Sequence, residues 1–259
     1  MKKYKEIKIK KKFAYSVTDE AIHSVPVHPP LDGNPVENNK KQFNKMPNNR
    51  RNNNLVVIEP GTKELFLSVP LRFKNSFHFS YLPDTVSLFL HLAYGALSRI
   101  VNLEDWLEAN YEAGTMRMLP GDNNYHQKKF GDVITVIVFL MMAVEALTNE
   151  MLPEKAVVNG KEMSKTEIEK KLSLDLKFKI LKTIGIDISG TLSDKVFYVK
   201  KLRDDIVHFK SHSTDLNKVK SVYPFDEILN LNIKDYFNSI VLVIEQISPN
   251  RIEYMEFES

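Results

Sequence analysis

A chain of 259 residues has room for one large domain or two small ones. Its 43% hydrophobic content is enough for a buried core, and the absence of cysteine excludes disulfides, thiolate zinc sites and cysteine nucleophiles. The net charge of +3 conceals an asymmetry: residues 1–85 carry 15 basic and 8 acidic side chains, a net +7, and the remainder 21 and 25, a net −4. A basic N-terminal third either attracts polyanions such as RNA or uses its lysines to guard exposed strand edges.

The opening MKKYKEIKIKKKF is basic but lacks the apolar run of a secretory signal, so a cytoplasmic address is expected. KEIKIKKKFAYSV alternates around Ile7 and Ile9 and predicts a half-buried strand. NLVVIEP, KELFLSVPLRF and FHFSY predict further short strands. Between them, residues 28–54 form an Asn- and Pro-rich loop with little to bury. Its Lys40, Lys41, Lys45, Arg50 and Arg51 are candidate phosphate contacts, against the alternative of a merely solvated loop.

From Asp84 the character turns helical. DTVSLFLHLAYGALSRIVNLEDWLEANY is long and amphipathic, and Pro120–Gly121 interrupts the pattern. YHQKKFGDVITVIVFLMMAVEALTNEML is apolar on nearly every side in its middle, as a helix central to a bundle would be. Its uncharged run, residues 133–144, falls short of the about 20 residues a membrane span needs, so a core helix is expected and no membrane partner. Pro153 and an Asn-Gly-Lys turn end it. SKTEIEKKLSLDLKFKILKTIG predicts a third helix, with Ser164 and Glu167 at capping-box spacing. TLSDKVFYVKKLRDDIVHFKSH predicts a fourth and IKDYFNSIVLVIEQI a fifth. The fold class expected is therefore α+β: a small β-rich basic region over 1–84 and a helical bundle over 85–259.

In the fourth helix, Leu192, Val196, Val199, Leu202, Ile206 and Phe209 make one apolar stripe. Arg203 falls inside it, four residues after Val199 and three before Ile206. A guanidinium there is costly unless it meets a carboxylate. Glu145, the acid at the end of the uncharged run of the most apolar helix, faces the converse problem, and the two are expected to lie close together. Asp204 and His208, four apart, share the other side with Phe197. That patch should be solvated or covered by a second protomer.

The run Arg203-Asp204-Asp205-Ile206-Val207-His208 resembles the Arg-x(4–6)-His signature of HEPN domains (higher eukaryotes and prokaryotes nucleotide-binding). MMAVEALTNEML, with Glu145, is similar to the apolar helix that opens many HEPN bundles, and the likeness spans roughly residues 125–248. It implies a HEPN-like bundle and a metal-independent endoribonuclease, in a toxin or anti-phage abortive-infection role. It also implies a homodimer with a composite cleft. Family toxins paired with a nucleotidyltransferase antitoxin often carry Tyr two residues after the His; here Lys210 stands there, which points away from that arrangement.

The chemistry suits these residues. RNA brings its own nucleophile, the ribose 2′-hydroxyl. An imidazole such as His208 exchanges protons near neutrality, and an arginine such as Arg203 forks onto phosphate oxygens while staying charged. Asp204 could orient the imidazole or support Arg203. Lys210 and His212 are further candidate RNA contacts. Arg203 and His208 diverge by about 140° on one helix, so two copies around a twofold axis present them better than one. No cofactor is expected, and no metal, since the histidines lack ligand spacing. The partners expected are RNA, a second copy and a regulatory or antitoxin protein. The competing readings are a non-catalytic assembly or sensing module, with Arg203 and His208 structural, and a helical RNA-binding protein without turnover.

Overall fold

The computed structural model describes residues 6–12, 14–16, 55–59, 64–73, 76–110, 122–207 and 225–255. Helices take most of them, so the fold is mostly helical with a small antiparallel sheet. The chain divides into two compact units, Ile9–Asp84 and a helical unit of Thr85–Ser259 together with Met1–Lys8.

The smaller unit is built on a long strand. Of the strands β1 (Glu6–Ile7), β2 (Ala14–Ser16), β3 (Leu55–Glu59), β4 (Glu64–Phe73) and β5 (Ser76–Tyr81), the last four form one antiparallel sheet. The first half of β4 pairs with both β2 and β3, through Phe66 to Ala14 and to Val57. Its second half pairs with β5, Arg72 opposite Phe77.

The single strand expected around Ile7 and Ile9 is instead two. β1 does not join this sheet; it pairs with β8 (Tyr254–Met255) in the helical unit. Ile7 is fully buried there, and its carbonyl lies 2.7 Å from His91 Nδ1. A two-residue strand carries the alternation but nothing in it that names its partner.

In the helical unit, α1 (Thr85–Asn110) and α2 (Asp122–Met151) lie antiparallel along each other. Phe89 meets Phe139, Arg99 Nη2 meets Asp132 at 2.6 Å, and Lys129 Nζ meets Glu104 at 3.1 Å, a register running in opposite senses on the two helices. Both helices are long and apolar enough to cross a membrane by length and composition, over Thr85–Glu104 and Tyr125–Met151. Here their apolar faces build the core: Leu90, Ala93, Ile100, Val136, Ile137, Leu140, Met141, Val144 and Leu147 are fully buried.

After α2 comes a hairpin of β6 (Lys155–Val158) and β7 (Lys161–Ser164), turned by Asn159 and Gly160 at φ of 52° and 77°. Positive φ at both central residues is the type I′ geometry that Asn-Gly favours. Only the turn, not the hairpin, was expected. Ser164 then closes the expected capping box: its Oγ accepts from Glu167 N–H, and Glu167 Oε2 accepts from Ser164 N–H at 3.1 Å.

The expected third helix is two, α3 (Lys165–Lys171) and α4 (Leu174–Thr183). Leu172 and Ser173 are extended, and Ser173 caps α4 by accepting from Leu176 N–H. A serine hydroxyl offering the backbone a cap competes with continued helix at that point. α5 (Gly190–Val207), a short α6 (Phe225–Leu229) and α7 (Ile233–Ile247) complete the unit. α2 touches α1, α4, α5, α6 and α7, the central place its all-round apolar sequence predicts.

Candidate functional site

α5 buries Val196, Val199 and Leu202 completely, and Leu192 and Ile206 in part. That anchors the helix against α2 and α7 and brings Arg203 over the C-terminal half of α2. Arg203 Nη1 donates to Glu145 Oε1 at 2.7 Å, so the two residues lie together as their shared burial problem requires. Their side chains are 20% and 35% exposed, which leaves the pair half-buried at the bundle's edge.

Asp204 holds the other side of the guanidinium. Its Oδ1 accepts from Arg203 Nε at 3.0 Å and from Nη2 at 2.7 Å, while Oδ2 accepts from Lys200 Nζ. Of the five guanidinium N–H groups, three are thus engaged, and two have no partner among the described residues. Both Asp204 oxygens are taken by cations, so of its two expected roles the geometry favours supporting Arg203.

The electrostatics follow from the contacts. Burial on its own lowers the Arg203 pKa; the hydrogen bonds it donates to Asp204 and the charges of Glu145 and Asp204 outweigh that and hold it above its usual value. Burial likewise raises the Asp204 carboxyl, but hydrogen bonds from Lys200 and Arg203 and their charges bring it below the usual carboxylate range. Two cations and two carboxylates leave this quartet formally neutral.

A further cation was missed. Lys177 of α4 is only 7% exposed. Its Nζ donates to Asn149 Oδ1 at 2.8 Å and to the Glu169 carbonyl at 2.9 Å. Burial pushes its pKa down, against the attraction of Glu145 and Glu169. The signal was in the sequence: Leu174, Lys177, Phe178 and Leu181 are spaced as one helical stripe, and Lys177 interrupts it as Arg203 interrupts its own.

Phe197 corrects one expectation. It does not stand in a patch facing away from the core with Asp204. Its ring packs, partly buried, 5.6 Å from Phe178 of α4, which covers that flank of α5. Helical angle alone put it beside Asp204; the neighbouring helix decided what covers it.

His208, Lys210 and His212 lie outside the described residues, as do Lys40, Lys41, Arg50 and Arg51. Among the described residues, no three His, Asp or Glu side chains are grouped to hold a metal ion. The chain matches no family model, no curated protein and no solved structure.

Proposed function

We propose that this protein is a HEPN-type endoribonuclease that needs no metal, works in the cytoplasm as a homodimer, and serves as a toxin or anti-phage effector. The observation that carries the reading is the cradle around Arg203. Glu145 from α2 and Asp204 from α5 fix the guanidinium from two sides, while two N–H groups have no partner among the described residues. A preorganised cation of this kind suits stabilising charge that develops on a phosphate, often the largest catalytic contribution.

In the proposed step, the ribose 2′-oxygen attacks the adjacent phosphorus and the bond to the 5′-oxygen breaks. His208 takes the 2′-hydroxyl proton, and the departing 5′-oxygen gains one from a general acid. The products are a 2′,3′-cyclic phosphate and a 5′-hydroxyl end. The nucleophile belongs to the RNA, so no metal-activated water is required. Arg203 would stabilise the extra negative charge on the non-bridging oxygens. The five-residue spacing of Arg203 and His208, which an ideal helix would turn about 140° apart, supports a cleft shared by two copies.

The second reading, a non-catalytic HEPN-like assembly or sensing module, draws on a different observation. The Arg203 charge is already compensated by Glu145 and Asp204, as a purely structural ion pair would be. Incubation with labelled RNA in EDTA separates the two. The nuclease reading expects cleavage that survives chelation and falls about 10²-fold or more in Arg203→Ala and in His208→Ala. Binding without cleavage at any enzyme concentration would favour an RNA-binding protein without turnover, and neither binding nor cleavage the assembly module.

A further inference from the structure

We propose that Lys177 is a positioning residue of this site: from α4 it fixes the Glu145–Asn149 turn of α2, so that Glu145 meets Arg203 in the geometry the cradle needs. The inference rests on the nuclease reading for its purpose, and on the contacts alone for its mechanics.

Glu145 and Asn149 are four residues apart on α2 and therefore neighbours on one face. Each holds a cation from a different helix: Asn149 Oδ1 the Lys177 ammonium of α4, Glu145 Oε1 the Arg203 guanidinium of α5. One turn of α2 is thus gripped from two sides. A buried ammonium is costly and would be expected to pair with a carboxylate. Lys177 instead donates to two neutral oxygens, the Asn149 amide and the Glu169 carbonyl, and feels Glu145 only through the field. The charged groups facing it are Glu145 from α2 and Glu169 from α3. A lysine serving packing alone has no need of that arrangement. A lysine that holds Asn149 still, and shares Glu145 electrostatically with Arg203, restrains the carboxylate that aims the guanidinium.

The test reads Arg203 directly, on the full chain, by the solvent exchange rate of its Nε–H in NMR spectra. Lys177→Met is expected to speed that exchange about fivefold or more, the response to about 1 kcal/mol of lost restraint. Lys177→Arg, which keeps a buried cation and donors, should bring it back towards the wild-type rate. Asn149→Ala, which removes the side-chain acceptor and leaves the charge, should reproduce the effect. With RNA, Lys177→Met should lower kcat more than it changes KM. An Arg203 exchange rate unaltered in folded Lys177→Met, or in folded Asn149→Ala, overturns the proposal. Exchange that responds in a protein with no ribonuclease activity would sink the nuclease reading and leave the coupling between Lys177 and Arg203 standing.

Discussion

Arg203 donates to Glu145 across the α5–α2 contact, and each residue resolves the burial problem of the other. Removing Glu145 leaves the half-buried guanidinium with Asp204 alone. Glu145→Ala should therefore cost about 1–3 kcal/mol, less than a fully buried pair would lose because both side chains keep some water. Glu145→Gln, which keeps an acceptor, should cost less. Urea denaturation of the two variants checks the order, and an equal loss in both would show that a neutral acceptor contributes nothing there and that the charge carries the interaction.

Asp204 titrates in the acid range with a definite sign. Its folded pKa is depressed, so its contribution is present above the unfolded value near 3.9 and is lost as pH falls through the folded value. Wild type should lose stability between about pH 5 and the acid limit faster than Asp204→Asn does. Urea midpoints taken across that range should converge for the two proteins at the acid end. Parallel curves would mean that Asp204 titrates as it does in the unfolded chain.

Lys177 titrates with the same sign, in the alkaline range. Burial depresses its folded pKa, so the unfolded chain binds more protons between that value and about 10.4. Its contribution therefore grows as pH rises through this window. Lys177→Met should flatten the alkaline slope of stability against pH. An unchanged slope in the variant would assign the alkaline behaviour to other groups.

The β6–β7 turn places Gly160 at φ 77° with open space where a Cβ would stand. Gly160→Ala should then cost about 1 kcal/mol, from backbone conformation and not from a clash. Asn159, also at positive φ, should tolerate glycine with little loss. Thermal midpoints of Gly160→Ala and Asn159→Gly should separate, the first falling by several degrees. Equal midpoints would mean that the hairpin contributes little to the unit's stability.

Much of this architecture is legible in the residues, and the parts that are not share a cause. Periodicity finds α1, α2, α5 and α7 because each carries a long apolar stripe. It merges α3 with α4, because Leu172 and Ser173 continue the spacing while their backbone leaves the helix. It passes over the β6–β7 hairpin, whose four-residue strands KAVV and KEMS carry little apolar alternation, although Asn159–Gly160 is a strong hairpin signal in itself. For the site, a charge set in an apolar stripe points to Arg203 and its partner Glu145. The same test applied to α4 finds Lys177, although no motif stands near it. Phe197 shows the limit of helical angle: it fixes which residues share a side, and only the packing of α4 says what covers that side.

Because α2 is the common neighbour of α1, α4, α5, α6 and α7, none of these can detach without uncovering part of it, whereas α2 cannot open unless all of them do. Its middle, from Val136 to Leu147, should hold the slowest-exchanging backbone amides of the helical unit, at protection approaching that of global unfolding. Glu145 lies inside that stretch. The carboxylate end of the cradle is therefore tied to the most persistent segment of the unit, and loosening of Arg203 should begin from α5.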